Sequence, residues 1–258
     1  MNRKESLYAV FRSVWPPVVA VLFFLAVWQA AAVFLHIEPW MLPSPADIAA
    51  EAAAQSALLA DHTWATVRLT LSGFAIGTVV GLLLAVLLHL IPFLKRALYP
   101  LLILSQNIPT IALGPLLMIW FGFGLLPKLM VITLVCFFPV VVAALDGLAQ
   151  TDRLMMNYMQ MSGASRMGIF RKLELPHALP SLFSGMKIAA TYSVMGAIVA
   201  EWLGASEGIG YYMLLQKSAY RTDRVFAAIA IIVALSLIMF LLIALMERLL
   251  IRWRPEQK

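Results

Sequence analysis

Apolar runs long enough to cross a lipid bilayer recur along this chain, and each ends at a charged cluster or a Gly/Pro-rich break. The pattern predicts spans at Val14 to Leu35, Val67 to Ile91, Ala97 to Phe121, Leu129 to Leu145, Ser181 to Trp202 and Val225 to Met246. Each falls within the roughly 17–25 residues that a helix needs to cross a hydrocarbon core about 30 Å thick. Lipid offers the backbone no hydrogen-bond partner, so apolar runs of this kind are expected as helices. The predicted fold class is therefore all-α and integral to a membrane, with six transmembrane helices.

Composition points the same way. The 258 residues are 62% hydrophobic and 12% charged, against about 45–50% and about 25% in a soluble domain. The first run follows Arg3 and Lys4 and so has the polarity of a secretory signal. It is too long for one, however, and Ala30-Ala31-Ala32 is followed by further apolar residues, so we read it as a retained first span.

Charge then sets an expected orientation. With the N-terminus in the cytoplasm, only Arg68, Lys128, Lys217, Arg221 and Arg224 of the 19 Lys and Arg residues fall outside. Basic residues are retained on the cytoplasmic side, so both termini are expected there. Six of the seven tryptophans, Trp28 being the exception, fall near a predicted interface, as an aromatic belt requires. The net charge of +6 is dispersed between apolar runs and forms no basic stripe, which argues against nucleic acid as a partner. The single cysteine, Cys136, excludes an internal disulfide and reads as a small core residue.

Several features inside the runs carry more information. Gly73, Gly77 and Gly81 clear one face of the second span for a close neighbour, either within the chain or across a subunit seam. The third span contains Pro100, Pro109 and Pro115 and places Ser105, Gln106, Asn107 and Thr110 near mid-depth, where polar groups need partners or water. Thr191, Tyr192 and Ser193 of the fifth span lie at comparable depth. Gln106, Asn107, Thr110, Thr191, Tyr192 and Ser193 are thus the expected lining of a translocation path. His36, His62, His89 and His177 do not converge in the sequence pattern, and no paired carboxylates accompany them, which argues against a membrane-embedded enzyme. No carboxylate sits at a span centre, as an ion-coupled secondary transporter would need; Asp146, Glu201 and Glu247 fall at ends, and Glu201 reads as a structural acid.

Asp146 to Pro180 is the longest connection on the cytoplasmic side. Leu154, Tyr158 and Met161 repeat at helical spacing, Ser162-Gly163-Ala164-Ser165 interrupts them, and Ile169, Phe170 and Leu173 resume an apolar face that Leu175-Pro176 is expected to stop. A short helix, a tight turn and a second short helix follow from that pattern. Met155, Met156, Met159 and Met161 add adaptable apolar surface suited to a protein partner. The Gly163 to Gly168 spacing suggests a phosphate loop, but Ile169-Phe170 follow where Lys and Ser or Thr would be needed, so the chain carries no ATP site of that type.

In this loop Gly163 is followed, after the nine residues Ala164 to Lys172, by Leu173-Glu174-Leu175-Pro176, and it is preceded by Asn157-Tyr158-Met159 with the three residues Gln160 to Ser162 between. Elsewhere Gln106-Asn107-Ile108-Pro109, Trp120-Phe121-Gly122-Phe123-Gly124, Phe138-Pro139, and Glu201-Trp202-Leu203-Gly204-Ala205-Ser206 with Gly208-Ile209-Gly210 appear in order. Over Leu58 to Arg252 the sequence resembles the permease subunits of binding-protein-dependent ABC importers, in the branch for sulfonates, taurine, nitrate and thiamine-precursor pyrimidines. Their coupling loop has an EAA triplet where this chain has Asn157-Tyr158-Met159.

The resemblance implies a type I importer permease fold in the bacterial inner membrane, with a cytoplasmic coupling helix. On this view residues 1–57 hold the N-terminal tail, first span and periplasmic segment, 58–252 the transmembrane domain, and 253–258 a cytoplasmic tail. It implies a homodimer, two cytoplasmic ATPase subunits and a periplasmic solute-binding protein, with ATP bound only by the ATPase and no cofactor on this chain. The implied ATPase-coupling residues are Asn157, Tyr158, Met159, Gly163, Ala164, Ser165, Leu173, Leu175 and Pro176. Stretches such as Trp120 to Lys128 look closest to permeases for pyrimidine precursors of thiamine.

Overall fold

The computed structural model describes residues 3–251, with side chains from residue 15 onward. The expected tail at 253–258 lies outside the described residues. Every element among them is helical: α1 (Arg3–Phe34), α2 (Pro45–Ala54), α3 (Ser56–Leu90), α4 (Pro92–Gln106), α5 (Thr110–Phe121), α6 (Leu125–Ala149), α7 (Arg153–Met161), α8 (Arg166–Ile169), a π-helical turn (Phe170–Glu174), α9 (Leu175–Trp202), α10 (Ile209–Ser218) and α11 (Thr222–Leu250). The helix α8, the π turn and α9 run on as one rod, Arg166–Trp202.

Five helices are long and apolar enough to cross a membrane. The expected third span is the exception, because α4 and α5 meet at 101° instead of forming one rod. The sequence explains the break. Asn107 and Ile108 tighten the end of α4, donating to Leu104 O and Ser105 O, and Pro109 then adopts an extended conformation and has no N–H with which to continue the ladder. Counting the bent pair as one span restores six.

The chain divides into two compact units. One comprises residues up to Ala60 together with Met213–Ala230. Within it Ser44 and Asp47 cap α2 reciprocally, and the α2 residue Glu51 pairs with Arg221 at 2.8 Å and Arg224 at 3.0 Å. The Trp28 and Phe226 rings meet with centroids 5.3 Å apart.

The other unit, Asp61–Tyr212 with the chain from Ile231 onward, holds the main core. Its centre is Ile132, Cys136 and Val140 of α6 against Ala189, Ala190 and Val194 of α9. The glycine face of α3 lies on α6 of the same chain, which decides between the two readings of those glycines. A Cβ on Gly73 would lie 2.5 Å from Ile132, one on Gly77 2.7 Å from Cys136, and one on Gly81 3.0 Å from Phe137 O. Where lipid removes the hydrophobic incentive to associate, such close approach lets dispersion hold helices together. Gly77→Leu is therefore expected to overpack this seam at a cost near the upper end of about 1–3 kcal/mol. Thermal unfolding of the detergent-solubilised protein checks this. A lowered midpoint is expected; an unchanged one would mean that α3 and α6 do not meet here.

Candidate functional site

The coupling segment is built from local chemistry. Asp152 caps α7 by accepting from Leu154 N–H at 2.8 Å. At its other end Gly163, at φ +77°, reverses the chain, while Gly163 and Ala164 N–H return to Gln160 O and Met159 O. Ser165 opens α8 by accepting from Gly168 N–H at 3.1 Å. A Cβ at Gly163 would meet nothing within 4 Å, so glycine is favoured here by its backbone conformation and not by crowding.

The two sides of this turn differ. No residue of α7 is buried, and Leu154, Tyr158 and Met161 stand 76%, 68% and 89% exposed on one helical stripe. Asn157 is exposed as well, and Met159 is half-buried. After the turn, Ile169 and Phe170 are buried, with Phe170 against Leu148 and Ala178, while Leu173 is half-buried and Leu175 exposed. Contrary to the pattern-based expectation, Leu175-Pro176 does not stop the helix. The π turn absorbs the proline: Leu175 N–H donates to Phe170 O, five residues back, and Pro176 sits in the first turn of α9, where a missing N–H is tolerated.

The break between α4 and α5 opens a cavity of about 540 Å³ whose walls include Gln106, Asn107, Thr110 and Tyr192, together with Phe137 and Phe138. No charged side chain lines it. Thr191 and Ser193 lie outside this lining: Thr191 donates to Lys187 O at 3.2 Å, and the fully buried Ser193 to Ala190 O at 2.7 Å. Consecutive helical residues point about 100° apart, so Thr191, Tyr192 and Ser193 cannot all face one space.

Two buried carboxylates organise the ends of this unit. Glu201, 2% exposed, accepts from Thr66 Oγ1 and from Gly210 N–H, each at 2.7 Å. Thr66 in turn accepts from Ile209 N–H at 2.8 Å, and His62 Nδ1 from Gly208 N–H at 3.1 Å. A side chain at Gly208 would collide with the Glu201 carboxylate, which accounts for the Gly208-Ile209-Gly210 motif. Reading Glu201 as a structural acid agrees with this geometry. Beside it a smaller cavity, about 300 Å³, is lined by Arg68, Ser72, Lys128 and Glu207. At the opposite end of α9, Glu174 is 1% exposed and pairs with Arg166 and His89. Sequence reasoning missed this group; an acid held between Leu173 and Leu175 was its only signal.

Comparison with known proteins follows the same outline. The family model described as "Binding-protein-dependent transport system inner membrane component" matches residues 77–252. The formylaminopyrimidine transport permease protein ThiX of Halalkalibacterium halodurans is 36% identical over 93% of this chain and 96% of its own length. The riboflavin transport system permease protein RibX of Chloroflexus aurantiacus is 34% identical over 94% and 92%. The taurine transport system permease protein TauC of Escherichia coli is 30% identical over 90% and 87%. Among solved structures, an amino acid ABC transporter crystallised with histidines superposes with a TM-score of 0.61 over 78% of this chain and 96% of its own, at 18% identity, a likeness of fold. With the family model covering most of the chain and relatives matching nearly end to end, the chain belongs to the inner-membrane components of binding-protein-dependent transport systems.

Proposed function

We propose that two copies of this permease form the channel of an importer in which a pair of cytoplasmic ATPase subunits grips the α7 stripes and a periplasmic binding protein delivers the solute. The exposed Leu154-Tyr158-Met161 stripe, on a helix with no buried residue, is the observation that carries this reading. An apolar stripe of that kind on a charged loop calls for a protein partner. Both termini then lie in the cytoplasm, as the distribution of Lys and Arg favours. The chain itself hydrolyses nothing. The residues Asn157, Tyr158, Met159, Gly163, Ala164 and Ser165 form the grip and its turn, and Leu173, Leu175 and Pro176 carry the motion into α9.

For the solute, the uncharged cavity supports a neutral, flat heterocycle such as a formylaminopyrimidine, the cargo named for the relative in H. halodurans. Gln106, Asn107 and Thr110 offer amide and hydroxyl partners for ring nitrogens, while Phe137, Phe138 and Tyr192 offer aromatic faces. A fixed anion would find no cation there. The second reading, a sulfonate or taurine, rests on the smaller cavity, where Arg68 and Lys128 stand together. Competition in uptake separates them: a formylaminopyrimidine is expected to compete, and taurine is not. Competition by taurine alone would remove the heterocycle reading.

Two variants test the mechanism. Gly163→Asp places a carboxylate on the partner-facing turn and strains the backbone at φ +77°, less than most residues would because Asp visits the left-handed region more readily. The variant is expected to reach the membrane at near-normal levels, to lose most solute uptake, and either to release the ATPase or to leave its hydrolysis unresponsive to the loaded binding protein. Full uptake with normal ATPase stimulation would remove the coupling assignment.

In a Cys136→Ser background, single cysteines at Gln106 and Asn107 are expected to react with small polar thiol reagents at rates that change when ATP is trapped. Cysteine at Ser193 is expected to stay silent, because that position is enclosed by helices. Silence at 106 and 107 in every nucleotide state would eliminate the path.

A further inference from the structure

Glu174 is the last residue of the π turn, and its carboxylate faces two elements at once. Oε1 accepts from Arg166 Nη1 at 2.6 Å, and Oε2 lies 2.9 Å from His89 Nε2. Arg166 Nη2 is also 3.2 Å from that imidazole nitrogen. Arg166 is the first residue of α8 after the coupling turn, and His89 is one residue from the end of α3. The His89 ring also stands beside Phe170, centroids 6.1 Å apart. A carboxylate only 1% exposed, held by a guanidinium and an imidazole from different helices, ties the coupling turn to the second span. The π turn contributes the register: an extra residue in the helix turns Glu174 inward while Leu175 remains exposed.

The opposite ends of the same two helices are tied as well, through Thr66 of α3 and Glu201 of α9. The pairs 89·174 and 66·201 bracket an antiparallel α3–α9 pair, and between them both helices pack on α6. A body fastened at each end by a buried carboxylate, with a glycine-lined seam along its middle, transmits displacement instead of absorbing it.

We infer that Glu174 is the positioning residue that makes the coupling turn and the inner end of α3 move as one piece, so that ATPase closure reaches the second span and, through it, the Glu201 loop. The inference rests on the proposed grip of the ATPase on α7. Removing the carboxylate while leaving Arg166 and His89 in place leaves two donors without their acceptor and frees α8 from α3.

Hydrogen exchange read by mass spectrometry on the complete transporter, with its ATPase subunits, tests it. Peptides covering 153–165, 166–175 and 84–90 are followed without nucleotide and with ADP trapped by vanadate after hydrolysis of ATP. In the wild type all three are expected to respond to nucleotide, with 166–175 and 84–90 changing together by roughly tenfold, within the span usual for coupled sites. In Glu174→Ala the 153–165 peptide should keep its response, showing that the ATPase still grips, while the response at 84–90 falls to less than about twofold. Hydrolysis should continue as uptake fails.

Arg166→Ala, at a half-exposed position, leaves His89 on the buried carboxylate and is expected to shift 84–90 in the same direction by a smaller factor. A merely structural role for Glu174 would raise exchange in every peptide with and without nucleotide, and that result overturns the inference. So does a wild-type response at 84–90 that survives in Glu174→Ala. If 153–165 fails to respond in the wild type, the grip itself is wrong and the inference falls with it.

Discussion

In a lipid environment each backbone N–H and C=O must find its partner within the protein, and every unusual feature of this chain can be traced to how that requirement is met or relaxed. Along α1, α3, α6, α9 and α11 it is met by continuous helix, interrupted in the ladder only at prolines such as Pro139 and Pro180. At Asn107 to Pro109 it is relaxed: the ladder stops, the chain turns through 101°, and the freed groups and amide side chains face a cavity. Irregular backbone at membrane depth survives only against protein or water, so the break and the cavity are two descriptions of one event. At Phe170–Glu174 the requirement is met in an altered register, five residues back, which lets Pro176 remain inside a continuous rod.

On the proposed function these two irregularities divide the work of a transporter. The break gives an uncharged, largely apolar and aromatic space carrying a few amide and hydroxyl groups, where a small solute would be met. The π turn and the Gly163 reversal give an exposed helix held out on a short arm from the bundle. Between them stands the close-packed seam of α3, α6 and α9, where glycines bring backbones within van der Waals reach and leave little room for compression. Close-packed interiors transmit strain, so a push at the loop can arrive at the cavity.

Much of this was legible in the sequence. Hydrophobic runs located the five membrane-length helices, because length and apolarity alone decide that question, but not the bend that splits the expected third span. The Ser162 to Ser165 turn was readable because glycine and serine perform specific local tasks, a positive φ and an N-cap, that need no tertiary information. Side-chain direction was less accessible. Thr191, Tyr192 and Ser193 share a depth, but only Tyr192 shares the cavity, since azimuth around a helix depends on which neighbour it packs against. The fate of Pro176 was also hidden, because the π turn that ends two residues before it decides whether the proline ends a helix. Glu174 and His89 are 85 residues apart, and their pairing is a product of the α3–α9 register that no local pattern encodes.

The central claim is that α7 is the surface through which an ATPase drives this permease. A photo-crosslinking amino acid in place of Tyr158, in cells that also make the neighbouring ATPase subunit, tests it most directly. The account predicts one dominant adduct between the permease and that ATPase, lost when the ATPase is absent. Adducts confined to lipid or to the permease itself, with the ATPase present and the transporter active, would contradict it.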